Sequence, residues 1–202
     1  MTDTFTNVLQ SVLSVSITVN QQESTAEVSN FVGKKPLEHK VLILGLDNAG
    51  KSTLLYKLVT DDGVSTVPTI GYNFEEFTYK SIKFLLWDIG GQEAMRPSWE
   101  TYFDNTQAVI FVVDSTDLKR LPAVKKELDK IIVNDNLSEA TFLIFANKQD
   151  QVEALDPSEI SKRLGIPSIT SHHIRIQPCS AANGGGLEEG MNWIFSKFSA
   201  VK

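Results

Sequence analysis

Residues 45–52 read Gly45-Leu46-Asp47-Asn48-Ala49-Gly50-Lys51-Ser52, which fits the pattern G-x-x-x-x-G-K-[ST]. The stretch follows an apolar run at 41–44 and precedes another that includes Leu54 and Leu55. Small residues in such a loop let backbone N–H groups converge on a polyphosphate, and the helix that follows adds its positive end. Lys51 can then reach the β- and γ-phosphates, and the hydroxyl of Ser52 can hold Mg²⁺. The strand before and the helix after the loop argue against a chance glycine loop.

A second polar cluster, Asn147-Lys148-Gln149-Asp150, follows the apolar run 141–146. Ligands of open α/β sheets bind at the carboxyl ends of strands, so this N-K-x-D sequence lies where a base can be recognised. The two acceptor oxygens of Asp150 suit guanine, whose ring N1–H and exocyclic amine are adjacent donors, whereas adenine has no such pair on that edge. Asn147 and the stem of Lys148 are expected to buttress the loop and flank the base.

Two further segments are expected to sense the terminal phosphate. Asp88 ends a predicted strand and can reach the Mg²⁺ shell through water, and Gly91 lets a backbone N–H approach the γ-phosphate because no side chain blocks it. Gln92 is placed to orient an attacking water, and Gln92 and Lys51 are the predicted catalytic residues. Thr69 precedes the second strand and can offer its hydroxyl to Mg²⁺ and its N–H to the γ-phosphate, so that loss of the phosphate releases this loop.

Backbone N–H groups of Ser180-Ala181-Ala182, after the last predicted strand, can face guanine O6. The predicted Mg²⁺ ligands are Ser52 and Thr69. The predicted nucleotide contacts are Asp47, Asn48, Ala49, Gly50, Lys51, Ser52, Thr53, Thr69, Gly91, Asn147, Lys148, Asp150, Ser180 and Ala181.

Composition limits the class of protein. The 202 residues can bury one substantial core, and a net charge of −6 offers no basic surface, so nucleic acid is not an expected partner. The single cysteine, Cys179, excludes an intrachain disulfide and fits a reducing compartment such as the cytoplasm. No apolar run approaches the roughly eighteen residues that a transmembrane helix requires.

Strand-like and helix-like segments alternate from residue 41 onward, which predicts one α/β domain. Only Lys80-Ser81 separate the second and third strands, so these should form an antiparallel hairpin, because parallel strands need a long crossover. We therefore predict a mostly parallel six-stranded sheet with one antiparallel edge strand and helices on both faces. The predicted strands are 41–44, 72–79, 82–88, 108–114, 141–146 and 173–179, and the predicted helices lie near 51–59, 119–134, 157–164 and 187–198.

From about Glu38 onward the sequence resembles the small GTPases of the ADP-ribosylation factor (Arf) and Arf-like family. The resemblance rests on residues 45–51, on Pro68-Thr69-Ile70-Gly71 and on Trp87-Asp88-Ile89-Gly90-Gly91-Gln92, which together separate this family from Ras, Rho and Rab relatives. It implies a single P-loop GTPase domain over residues 38–202 that binds GTP and GDP and hydrolyses GTP with Mg²⁺, slowly on its own. It also implies a guanine nucleotide exchange factor and a GTPase-activating protein that supplies an arginine.

The resemblance further implies a hairpin that moves. In this family the hairpin at 72–88 slides by two residues when GTP replaces GDP, and an even slip keeps the same side chains facing the core. Tyr72, Trp87 and Tyr102 match the family's aromatic triad, which predicts an effector surface; ordinary packing of half-buried aromatic residues is the alternative. The expected role is in vesicle-mediated or protein transport.

Residues 1–37 are predicted to form an N-terminal extension, with an amphipathic segment at about 4–14 and a polar linker. Its apolar residues recur at helical spacing, which predicts either peripheral membrane contact or packing in a groove of the GTPase domain; they are Phe5, Val8, Leu9, Val12 and Leu13. Thr2 stands where N-myristoylation requires glycine, so this modification is not expected. The predicted location is the cytoplasm, with peripheral attachment to the Golgi or other endomembranes.

Two other classes of protein share part of this pattern. A P-loop ATPase or small-molecule kinase would share residues 45–52 but would not need the N-K-x-D sequence. A binding module could hold GTP, scarcely hydrolyse it and act only by recruiting effectors, although the presence of Gln92 argues against it.

Overall fold

The structure is a computed structural model and describes residues 37–60 and 67–199. Six strands of this part form one sheet in the order β2-β3-β1-β4-β5-β6. The hairpin partners β2 and β3 pair antiparallel, and every other pairing between the described strands is parallel. The strands are β1 (Leu37–Leu44), β2 (Tyr72–Tyr79), β3 (Ile82–Ile89), β4 (Ala108–Asp114), β5 (Thr141–Asn147) and β6 (Ile174–Pro178). The predicted sheet, with its antiparallel edge strand, is confirmed.

The described α-helices are α1 (Lys51–Thr60), α2 (Leu121–Ile132), α3 (Pro157–Leu164) and α4 (Leu187–Ser199). Short 3₁₀ helices span Glu93–Tyr102, Leu118–Arg120, Asp135–Leu137 and Ile166–Ser168. The predicted helix at 119–134 is therefore a 3₁₀ turn followed by α2. The helix at 93–102 was not predicted, since Pro97 inside it masks the usual helical pattern.

Helices cover both faces of the sheet, and its central strands β4 and β5 are apolar except for Asp114, Thr141 and Asn147 at their ends. Every residue of β4 and β5 is buried, as expected for parallel strands covered on both sides. One buried cluster joins the sheet to α2, α3 and the 3₁₀ helix at 93–102. A second cluster joins the opposite face to α1 and α4.

The five parallel strands direct their carboxyl ends to one edge of the sheet. The register pairs Ile43 with Asp88 and Asp114 with Asn147, so strand ends that are distant in sequence lie side by side. The loops that follow these strands meet at the same edge, which is where open α/β sheets bind their ligands.

The predicted extension at 1–37, with its segment at 4–14, lies outside the described residues except for Leu37, which begins β1. Within residues 37–60 and 67–199, no helix is long and apolar enough to cross a membrane.

The packing of α4 on β5 generates a prediction about stability. A Cβ atom added to Gly190 would lie 2.4 Å from Cζ of Phe145 and 3.0 Å from Cδ2 of Leu143. Gly190→Ala should therefore lower the free energy of unfolding by roughly 1–3 kcal/mol through overpacking, although alanine is the better helix former. Urea denaturation measures this change.

The control is Glu189→Ala at the exposed neighbouring position of α4, which should change stability by less than about 0.5 kcal/mol. A Gly190→Ala protein more stable than the parent would show that helix propensity outweighs the contact with Phe145.

Candidate functional site

The loop between β1 and α1 has a backbone that side chains would disrupt. Gly45 has φ +140°, and a Cβ atom there would lie 2.3 Å from the carbonyl oxygen of Val112. Gly50 has φ +94°, and a Cβ atom there would lie 2.3 Å from Nδ2 of Asn147. The loop can therefore curl tightly against β4 and β5 only with glycine at these two positions. The first turn of α1 follows at once, so its free N–H groups lie beside the loop.

Lys51 is a buried cation at the start of α1. Its side chain is 6% exposed, and Nζ donates to the carbonyl oxygen of Leu46 at 2.9 Å. Burial lowers the pKa of Lys51, and the nearby carboxylates of Asp88 and Asp47 oppose this shift. A buried ammonium group at a helix N-terminus favours binding of an anion such as a phosphate.

A cleft of about 310 Å³ opens above this loop. Glycine at position 91 is required for its shape, because a Cβ atom there would lie 2.3 Å from the carbonyl oxygen of Gly45. Val67 and Pro68 also line the cleft. The predicted site residues that line the cleft are Asp47, Asn48, Gly50, Lys51, Ser52, Thr53, Thr69, Gly91, Gln92 and Lys148.

Hydroxyl groups and a carboxylate meet at the floor of the site. Oγ of Ser52 donates to Oδ2 of Asp88 at 2.5 Å and lies 2.9 Å from Oγ1 of Thr69. Oγ1 of Thr69 and Nδ2 of Asn73 also donate to Oδ2 of Asp88, at 3.4 and 3.0 Å. Two predicted Mg²⁺ ligands, Ser52 and Thr69, therefore lie in contact. Asn73 was not predicted, because its role depends on the pairing of β2 with β3.

This cluster fits a magnesium ion. Asp88 has no exposed surface, and its Oδ1 is buried without a hydrogen-bond partner among the described residues. A buried carboxylate oxygen without a partner costs free energy, and a cation or its bound water relieves that cost. Hydroxyl and carboxylate oxygens are ligands that Mg²⁺ accepts.

Asn147 joins the loop before α1 to the loop after β6. It is 2% exposed, its Nδ2 donates to the carbonyl oxygen of Ala49 at 2.8 Å, and its Oδ1 accepts from the N–H of Ala181 at 2.8 Å. The amide therefore supports both loops, as the sequence predicted for a buttressing residue, and Ala49 takes part through its backbone rather than by lining the cleft.

The backbone donors of Ser180 and Ala181 differ from the prediction. The N–H of Ser180 donates to the carbonyl oxygen of Gly185 at 2.9 Å, and that of Ala181 donates to Asn147. Both donors have acceptors inside the protein because the loop folds back on itself, so the geometry does not turn them both toward a base. Asp150 is exposed and pairs with no described residue, which leaves both carboxylate oxygens free to accept.

Lys148 lies over the cleft because Asp114 holds it there. Its Nζ is 2.6 Å from Oδ2 of Asp114, and its backbone has φ +69°. Burial by itself would raise the pKa of Asp114, but hydrogen bonds from Lys148 and Thr116 outweigh burial, and the pKa is lowered. The pair is thus intact at neutral pH, and its stabilising effect is lost only as the pH falls below the usual range of an aspartate.

Two arginines that the sequence did not identify hold the side chain of Asp47. Arg120 lies 2.9 Å from Oδ2 of this carboxylate, and Arg96 lies 3.4 Å from Oδ1. Burial would raise the pKa of Asp47, but the two guanidinium groups outweigh it and the pKa is lowered. Both arginines are far from Asp47 in the chain, so no local signal could have found them.

The three aromatic residues Tyr72, Trp87 and Tyr102 form one cluster. Ring centroids lie 5.0 Å apart for Tyr72 and Trp87, 5.7 Å for Tyr72 and Tyr102, and 6.1 Å for Trp87 and Tyr102. Phe74, which is 40% exposed, extends the cluster at 4.9 Å from Trp87. The result is a partly exposed aromatic surface beside the cleft.

Comparisons with known proteins agree with this geometry. The family model described as "ADP-ribosylation factor family" matches residues 25–198. ADP-ribosylation factor-like protein 5A of Mus musculus is 51% identical over 160 residues, which cover 79% of this chain and 89% of that protein. ADP-ribosylation factor-like protein 5 of Dictyostelium discoideum is 50% identical over 159 residues, with 79% and 87% covered.

A solved structure, the Arl6 (BBS3) small GTPase from Trypanosoma brucei with the bound nucleotide analogue GppNp, is also similar. It has a TM-score of 0.76 and 33% sequence identity over 82% of this chain and 99% of that one. Small GTPases of this kind act with exchange factors, activating proteins and effectors. The chain belongs to the ADP-ribosylation factor family of small GTPases, whose members bind guanine nucleotides and hydrolyse GTP.

Proposed function

We propose that this protein is a molecular switch that cycles between GTP and GDP with Mg²⁺. The proposal rests on one observation. Lys51, the Ser52–Thr69–Asp88 cluster and Gln92 lie around one cleft at one edge of the sheet. The N-K-x-D loop lies at the same edge, joined to the phosphate loop by Asn147.

Each residue has a role in this proposal. Lys51 and the N–H groups of the loop and the first turn of α1, apart from those of Asp47 and Ala49, bind the phosphates. Ser52 and Thr69 hold the metal, and Gln92 orients the attacking water. Mg²⁺, when bound, neutralises charge on the β- and γ-phosphate oxygens. Thr69 contacts Ser52 directly, so a ligand shared by the two hydroxyls would hold the loop at 67–71 in place.

The base-side loop generates a prediction about nucleotide choice. With Mg²⁺, the protein should bind GDP and GTP far more tightly than ATP, because the exposed carboxylate of Asp150 accepts from both donors of guanine. Asp150→Asn should weaken GDP binding by roughly a hundredfold, since one acceptor becomes a donor facing a donor. Equilibrium binding of fluorescent GDP, with competition by each nucleotide, measures both effects.

The control is Asp135→Asn, which changes an exposed aspartate in a distant 3₁₀ helix and should leave affinity unchanged. Equal binding of ATP and GTP by the parent protein would favour the P-loop ATPase or kinase that shares only residues 45–52.

A second prediction concerns hydrolysis. The two arginines near the phosphate loop are both held by Asp47, so we propose that a GTPase-activating protein supplies the arginine of the transition state. Single-turnover GTP hydrolysis by the protein alone should therefore be slow, on the order of one turnover per hour or slower. Gln92→Leu should slow it at least roughly tenfold further and leave GTP affinity within about twofold, because Gln92 acts on water rather than on the phosphates.

Rapid GTP hydrolysis by the protein alone would contradict the proposal that a GTPase-activating protein supplies the arginine. Equal rates for the parent and Gln92→Leu would instead favour a binding module that holds GTP and acts only by recruitment.

We further propose that the aromatic surface of Tyr72, Trp87 and Tyr102 binds effectors, and that the protein acts in membrane traffic in the cytoplasm and on Golgi or other endomembranes. Residues 1–37 are proposed as a separate extension whose segment at 4–14 contacts the membrane. The support for this last proposal is the helical spacing of its apolar residues in the sequence.

In a liposome flotation assay the GppNp-loaded protein should float with vesicles, and Leu9→Glu should reduce the floating fraction several-fold because a charge interrupts the apolar stripe. Ser11→Glu, outside that stripe, is the matched control. Parent protein that remains in the soluble fraction would refute membrane contact by this segment.

A further inference from the structure

Trp99 is a core residue whose polar atom binds the backbone of the site. It lies in the 3₁₀ helix at 93–102, is 2% exposed, and meets Phe111 edge-on with ring centroids 6.4 Å apart. Its indole Nε1–H donates to the carbonyl oxygen of Gly90 at 2.9 Å, and this hydrogen bond is buried. A buried indole N–H usually finds a partner, but here that partner belongs to the segment lining the cleft.

The hydrogen bond from Trp99 fixes the direction of the next N–H. The carbonyl of Gly90 and the N–H of Gly91 belong to one planar trans peptide, in which the two groups point in opposite directions. Since Trp99 draws the carbonyl toward the core, the N–H of Gly91 is directed away from the core. Gly91 lines the cleft with Lys51 and Thr69, and no acceptor among the described residues pairs with its N–H.

The two neighbouring peptides are held as well. The N–H of Gly90 donates to the carbonyl oxygen of Gly71 at 2.9 Å, and the carbonyl oxygen of Gly91 accepts from the N–H of Asp47 at 3.1 Å and from Nε of Arg96 at 3.0 Å. The three consecutive peptide groups from residue 89 to residue 92 are thus each held by a hydrogen bond with another segment. The N–H of Gly91 is the donor left for a ligand.

We propose that Trp99 is a positioning residue that aims the N–H of Gly91 at the terminal phosphate of GTP. The proposal rests on the proposed nucleotide site and adds a specific consequence to it. GDP has no γ-phosphate, so the contribution of Trp99 applies to GTP and not to GDP. Without the indole N–H, the carbonyl of Gly90 is buried without a donor, and the peptide rotates toward another one.

Two substitutions remove the donor and keep an aromatic ring in the core. Trp99→Phe replaces the indole, and benzothienylalanine introduced at position 99 exchanges the N–H for sulfur with nearly the same shape. Affinities for GDP and for GppNp, each with Mg²⁺, are measured by calorimetry on the full chain. Both variants should lose roughly tenfold or more in GppNp affinity relative to GDP affinity, because only one of the two nucleotides uses the aimed N–H.

The matched control is Trp193→Phe. Trp193 lies on α4, away from the cleft, where its ring is covered by Nζ of Lys197 at 5.5 Å from the centroid. This substitution should leave the ratio of GppNp to GDP affinity unchanged.

If the benzothienylalanine protein loses affinity for GDP and for GppNp equally, Trp99 only supports the fold. If both affinities are unchanged, the hydrogen bond does not aim the N–H of Gly91. Either result overturns the proposal. If Trp99→Phe does not fold, the nearly isosteric variant decides alone. A parent protein that does not prefer GDP and GTP over ATP would overturn the proposed function and this inference together.

Discussion

The buried carboxylate of Asp88 organises the site around a single atom. Oδ2 receives hydrogen bonds from Ser52 at the start of α1, from Thr69 in the loop before β2 and from Asn73 inside β2. Burying a carboxylate with no exposed surface costs free energy unless such donors surround it. Satisfying this one group therefore brings three separate segments together, and its second oxygen remains for a cation or bound water.

Glycine also lets backbone segments of the site approach each other closely. Gly91 can lie against the carbonyl oxygen of Gly45 only because Gly91 carries no side chain, and this contact brings the end of β3 within hydrogen-bond distance of the loop at 45–52. Two side chains of the 3₁₀ helix at 93–102 then fix the peptides, those of Arg96 and of the buried Trp99. The 3₁₀ helix is therefore tied to the backbone of residues 90 and 91 by two hydrogen bonds.

Much of this could be predicted from the sequence. The mostly parallel sheet with one antiparallel edge strand follows from the apolar strands and one two-residue turn, and the residues lining the cleft are largely those of three short motifs. What could not be predicted depends on contacts between distant segments. Arg120 reaches Asp47 from 73 residues away, and the N–H of Ala181 is taken by Asn147, because loop ends that are remote in the chain become neighbours at the sheet edge.

The sequence by itself determined the fold class, the phosphate loop and the expectation of guanine, since these depend on local spacing: glycine where φ is positive, apolar runs of strand length, and a carboxylate after β5. Only the tertiary structure decided which atoms meet. In the folded protein Ser52 contacts Thr69, and Asp47 forms ion pairs with Arg96 and Arg120. The indole N–H of Trp99 donates to the carbonyl oxygen of Gly90. The physical reason is that these contacts follow from the packing of helices on a twisted sheet, and the strand register that brings them together is set by the whole core.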